Sequence, residues 1–198
     1  MTDRPFYILD GEPVGKASIL REGLRLFATK GLSETTIRDI GAAAGLTNPA
    51  LYKHFRTKHD LALTLFERCY REHMKRLVQA TPKELRFSEK FQGFVRCVLG
   101  AYDVDPNAAI FVTDNLTILW PEASERLSDR TAISILREIL EDGRKAGLVG
   151  QDETVELQIS MVIGLLNQLM RQIFLCALPG PARSYAEGSA RLLHDGLG

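Results

Sequence analysis

Cysteine is scarce in this chain, and Cys69, Cys97 and Cys176 stand far apart with no C-x-x-C pair among them. An odd, scattered set argues against a disulfide framework or a zinc knuckle and suits inert thiols in a reducing cytoplasm. Long apolar runs are missing too. The nearest, Met161–Leu178, is interrupted by Asn167, Gln168, Arg171 and Gln172, so it reads as a buried or interface helix and not as a membrane span. Met1–Gly15 carries Asp3, Asp10 and Glu12 and has no apolar centre; no signal peptide is expected there, and the segment reads as a loose arm. There is no alternating strand pattern and no repeat on the scale of roughly 20–50 residues. Nucleophile elbows, phosphate loops and H-E-x-x-H are absent, and His54, His59, His73 and His194 fall into no metal-ligand spacing. Neither catalysis nor a metal nor a cofactor is therefore expected.

Net charge is also lacking, with 25 Lys and Arg against 25 Asp and Glu. A zero sum argues against a polyanion partner, but the distribution reverses that reading. Lys16–Lys83 holds 13 basic against 6 acidic residues, and Glu84–Gly198 holds 11 against 16. A basic front and an acidic back suit an N-terminal module that faces phosphate and a C-terminal module that faces something else.

What fills the chain is helix. Ile19, Leu20, Gly23, Leu24, Phe27 and Ala28 form one apolar face over about Lys16–Thr29, stopped by Gly31. A short helix over Thr36–Ala43 has a near capping box in Thr36 and Asp39, and Gly45 can take the left-handed conformation that ends it. Thr47 is placed to cap a third helix over Asn48–Phe55, with Pro49 in its first turn, and Thr57 to cap a fourth reaching about Ala80. Five more follow, at roughly 88–102, 106–119, 129–145, 153–177 and 182–193. The expected fold is all-α, with about nine helices.

Two short helices meeting at a glycine turn, the second opening on small and polar residues, is how a chain is built when a helix end must enter the major groove of double-stranded DNA. Asn48 can offer its amide to adenine, Pro49 and Ala50 allow close approach, and Lys53 and His54 can donate to a base edge or a phosphate. Thr36, Thr47, Tyr52 and Lys58 are placed for backbone contacts that fix register. Leu51 and Phe55, spaced i, i+4, pack inward and read nothing.

The stretches ILREGLRLFATKG, TTIRDIGAAAGL and TNPALYKHFRTKHDL make Lys16–Asp60 resemble the N-terminal domain of the tetracycline-repressor (TetR) family of bacterial transcription regulators. Tyr52, Phe55 and Lys58 stand where that family's L-Y-x-H-F-x-x-K signature has them. Gly41 departs from its usual alanine, which loosens the second helix by up to about 1 kcal/mol. The resemblance implies a three-helix helix-turn-helix domain over residues 1–60 and a helical effector-binding and dimerisation domain over 61–198. It further implies a homodimer on a near-palindromic operator, released by a small-molecule effector. Phe94, Tyr102, Phe111, Asn115, Trp120, Met161 and Gln168 are candidates to line a mostly apolar effector site. The helix over 153–177 is apolar on more than one side, and Ile159, Ile163, Leu166, Leu169, Met170, Ile173 and Leu192 are the candidate dimer contacts.

Overall fold

The computed structural model describes residues 4–127 and 130–198. Among them run nine α-helices and no strand: α1 Val14–Thr29, α2 Ile37–Ala43, α3 Asn48–Tyr52, α4 Lys58–Ala80, α5 Phe87–Val104, α6 Pro106–Ala123, α7 Ala132–Lys145, α8 Val155–Phe174 and α9 Ala186–Leu197. None of the described helices is long and apolar enough to cross a membrane. The chain packs as two compact units, Met1–Glu72 with Asn107–Leu127, and His73–Pro106 with Ser128–Gly198. These are drawn differently from a division at residue 60, because the first half of α4, which buries Leu61, Leu65 and Phe66, packs with α1 and α6.

In the first unit α1 buries Ile19, Leu20, Gly23, Leu24 and Phe27 along one stripe. Its Gly23 lies close to α4, where an added Cβ would stand 3.1 Å from Leu61 Cδ2. Phe27 stacks on Phe111 of α6 at 5.6 Å between ring centres, and Tyr70 of α4 meets Trp120 of α6 at 5.0 Å. His59 bonds Glu122, and Arg126 bonds Glu67 at 2.9 Å. Helix α6 runs on to Ala123 through Pro121, beyond the expected stop near Leu119.

The expectation of a loose arm over residues 1–15 is wrong from Arg4 onward. Tyr7 and Ile8 are 3% and 4% exposed, and Arg68 Nη1 donates to Tyr7 O at 2.8 Å. Two apolar side chains and one buried arginine contact outweigh the freedom of a short terminal segment. Glu12 joins the same contact. Burial by itself would raise its carboxyl, but hydrogen bonds from Arg68 and Lys16 and the Leu9 amide hold it down at about 2. Asp39 is likewise held at about 2, chiefly by Lys30 and then by Thr36. Both carboxyls sit below their ordinary values of 4.5 and 3.8, so their contribution is complete above about pH 4.5 and drains away as pH falls towards 2. Acid titration followed by far-ultraviolet circular dichroism will therefore show the first unit losing stability across that window, and Glu12→Gln will flatten the upper part of the curve.

In the second unit α5 packs against α7, α8 and α9. Its buried Lys90 bonds Asp142 of α7 at 2.6 Å. Asp103 accepts the amides of Ala182 and Arg183 and so caps a 3-10 turn, Ala182–Tyr185, ahead of α9. That turn replaces the regular helical start expected at 182. Thr131 caps α7, while the expected start at Asp129 lies outside the described residues. Thr154 caps α8, which ends at Phe174 and not at Ala177.

Candidate nucleic-acid interface

The α2–α3 corner is assembled from local hydrogen bonds. Thr36 Oγ1 accepts from the Asp39 amide at 3.1 Å while Asp39 Oδ2 accepts from the Thr36 amide at 3.0 Å, so the capping box read from the sequence is complete. Lys30 Nζ, 2.6 Å from Asp39, adds a charge at that helix start. Gly45 takes φ +69°, as its position after α2 requires, and Leu46 N–H donates to Gly41 O at 2.8 Å. Leu51 and Phe55 are buried as expected, 0% and 3% exposed, and fasten α3 to the core.

What α3 turns outward is small and polar. Thr47, Asn48, Pro49, Tyr52 and Lys53 are exposed, and His54 is half-buried with its Nε2 3.5 Å from where a Cβ on Gly15 would lie. Regular helix ends at Tyr52 and not at Phe55; the amides of His54 and Phe55 both donate to Leu51 O, closing the last turn tightly. Thr47 sits at the N-cap in extended conformation, but its hydroxyl makes no cap bond, contrary to expectation. Two cations that motif reasoning passed over, Arg38 and Arg56, are exposed beside this corner and make no side-chain bond among the described residues. A plain scan for basic residues flanking α2 and α3 finds both.

This corner lies within the stretch that matches known proteins. Residues 19–65 match the family described as bacterial regulatory proteins, tetR family. Over 49 residues the chain is 45% identical to the HTH-type transcriptional regulator AcrR of Shigella flexneri, a match covering 25% of this chain and 23% of that protein. It is 27% identical over 162 residues to the HTH-type transcriptional repressor KstR2 of Rhodococcus jostii, covering 79% and 78%. The solved FadR of Bacillus subtilis, a transcriptional regulator in complex with stearoyl-CoA, shares the fold at a TM-score of 0.71 with 19% identity, over 91% of this chain and 98% of that one. Residues 19–65 therefore carry the N-terminal region of tetR-family regulatory proteins. The chain spans less than a quarter of the length of the first curated relatives it matches, 18% and 23%.

Within the matched stretch Lys58 does not stand as expected. Its ammonium donates to Leu32 O at 2.8 Å, Ser33 O at 3.2 Å and Thr35 O at 2.8 Å. All three donors are engaged by the loop between α1 and α2, so the side chain fastens α4 to that loop and has no free donor for a phosphate. Thr36 differs: its hydroxyl oxygen accepts the Asp39 amide in the capping box, which leaves its O–H able to donate to a phosphate.

Gly41 gains a physical reason. A Cβ there would lie 3.1 Å from Leu46 O and 3.3 Å from Asn48 Oδ1. The missing methyl leaves room for the amide of the first residue of α3. Gly41→Ala raises helix propensity by up to about 1 kcal/mol but crowds Asn48. We expect its melting temperature to change by only a few degrees, while the base preference selected from a random duplex pool shifts at the position opposite Asn48.

The candidate effector residues have separate settings. Phe111 and Asn115 belong to the first unit's core: Phe111 is 0% exposed, and Asn115 Nδ2 donates to Phe111 O at 2.8 Å. Trp120 rests on Tyr70. In the second unit Phe94 and Tyr102 are buried on α5, and burial pushes the Tyr102 phenol up. Met161 is exposed on α8 beside Gly196, and Gln168 lies with Leu165, Leu169, Tyr185 and Leu192 along a groove between α8 and α9. Of the candidate dimer contacts, Ile159, Leu166 and Met170 are buried inside the chain itself. They are core residues; Leu157, Met161 and Leu192 are the apolar side chains that this pair of helices turns outward, with Ile163, Leu169 and Ile173 half-buried.

Proposed function

We propose that this protein is a DNA-binding transcriptional regulator that grips a near-palindromic operator as a homodimer and releases it when a small, mostly apolar effector binds. The observation that carries the reading is the α2–α3 corner: a turn at Gly45, after a helix whose start is fixed by the Thr36–Asp39 capping box, presenting Thr47, Asn48, Pro49, Tyr52 and Lys53 with His54, beside Arg38 and Arg56, which make no side-chain bond among the described residues. Asn48 and Lys53 read base edges; Tyr52, Arg38 and Arg56 hold phosphates. The outward apolar side chains of α8 and α9 supply the twofold contact. The stearoyl-CoA carried by FadR, and the ketosteroid regulator KstR2 of Mycobacterium tuberculosis that shares this fold, support an effector with a long apolar body.

Selection of bound duplexes from a random pool tests the first half. The expected result is a sequence with twofold symmetry whose half-sites are about one helical turn apart, bound with an affinity that falls steeply as salt rises. Long-chain acyl-CoA thioesters and ketosteroids are then titrated onto the complex. Release by one series supports the effector class; no preference for any duplex over a scrambled one sinks the whole reading.

A further inference from the structure

The segment ahead of α1 is fastened through a single carboxylate. Glu12 Oε1 accepts from Arg68 Nη2 at 2.9 Å, and its Oε2 accepts from Arg68 Nη1 at 3.0 Å. Lys16 Nζ lies 2.9 Å from Oε1, and the Leu9 amide donates to Oε2 at 3.0 Å. The Glu12 and Arg68 side chains are 9% and 14% exposed, so this two-pronged pair is shielded from the solvent that weakens surface ion pairs. A bidentate pair fixes an angle as well as a distance.

The connection does not stop at Lys16. The same ammonium lies 5.7 Å from the centre of the Phe55 ring, and Phe55 closes the turn at the end of α3 through its bond to Leu51 O. Gly15, next to Lys16, faces the His54 imidazole. A continuous path therefore runs from Arg68 on α4 through Glu12 and Lys16 at the start of α1 to the last turn of α3. Tyr7 and Ile8 provide the burial along this strap; the carboxylate provides the direction.

We propose that Glu12 is a positioning residue for DNA reading: through Arg68 and Lys16 it holds the start of α1 and the closing turn of α3 in one orientation on α4. The inference rests on the DNA-reading function above. Nothing in it requires Glu12 to touch DNA, and its charge, facing phosphates, would oppose binding if it did.

Glu12→Gln keeps the side chain's size and one acceptor but removes the charge that grips Arg68 and Lys16. Measured on the operator selected above, it will weaken binding about tenfold while the slope of affinity against salt stays as in the wild type, because every phosphate partner is retained. Amide exchange at Leu51–Phe55 will quicken in the free protein. Adding Arg68→Met to Glu12→Gln will cost less operator affinity than Arg68→Met costs alone, since both changes break the same pair and only the Arg68 bond to Tyr7 O is lost in addition. A folded Glu12→Gln protein with wild-type affinity and wild-type exchange overturns the proposal. Should that variant fail to fold, Lys16→Met leaves the Glu12–Arg68 pair intact and must show the same faster exchange at Leu51–Phe55; unchanged exchange there overturns the proposal as well. Failure of the wild-type protein to select any duplex removes the DNA reading alone, and the exchange comparison still decides whether Glu12 orients the α3 turn.

Discussion

Lys58→Ala will lower the stability of the first unit by about 1.5–3 kcal/mol, the range for hydrogen bonds made by a charged group. The side chain satisfies three carbonyls of one loop, those of Leu32, Ser33 and Thr35, and Thr35 is fully buried. Thr35 also donates from its hydroxyl to Gly31 O at 2.7 Å and Leu26 O at 3.2 Å, so the loop is a small polar knot at the end of α1 with Lys58 at its centre. Removing the ammonium leaves carbonyls that water reaches only in part. A phosphate role would give the opposite pattern: a stable protein whose salt slope falls by about 0.9 for the one phosphate no longer neutralised. The discriminating comparison is with Arg56→Ala, which alters an exposed, unpaired cation and should lower the slope while leaving the melting temperature unchanged. Lys58→Arg will recover only part of the stability, because a planar fork cannot replace a compact ammonium among three converging oxygens.

The contrast shows where sequence reasoning reached and where it stopped. Gly45, the Thr36–Asp39 box and the inward pair Leu51 and Phe55 were legible because each is decided within four residues of itself. The role of Lys58 was not: its partners lie 23 to 26 residues away, and a lysine at a helix start reads equally well as a phosphate ligand. The strap escaped notice for the same reason at longer range, since Glu12 meets Arg68 across 56 positions. On α8 the difficulty was different. A helix apolar on several sides announces that it is covered, but not which stripe its own chain covers; Ile159, Leu166 and Met170 turned inward and Leu157 outward. Of the caps expected at Thr36, Thr47 and Thr57, only the Thr47 hydroxyl makes no cap bond, and the cap that Asp103 gives the Ala182–Tyr185 turn, 79 residues away, left no local signal.

Phe111→Ala will have a larger effect still, destabilising the first unit by about 3–5 kcal/mol. The ring is 0% exposed, stacked on Phe27 at an interplanar angle of 20°, and its backbone carbonyl accepts the Asn115 amide. Truncation removes an aromatic partner and leaves a cavity between α1 and α6 that neither can close without moving. The melting transition of the first unit should fall by more than about 10 °C, with amide exchange quickening along Ile19–Phe27, the face of α1 that loses its support. Phe111→Leu keeps most of the volume and should cost less than about 1.5 kcal/mol. The sequence nominated Phe111 as an effector contact, and the two roles separate cleanly. A residue that only lines a ligand site leaves the melting temperature nearly unchanged in the alanine variant and weakens effector binding in proportion to the apolar area removed. A core residue lowers the melting temperature first, and the leucine variant, refilled, binds effector as the wild type does.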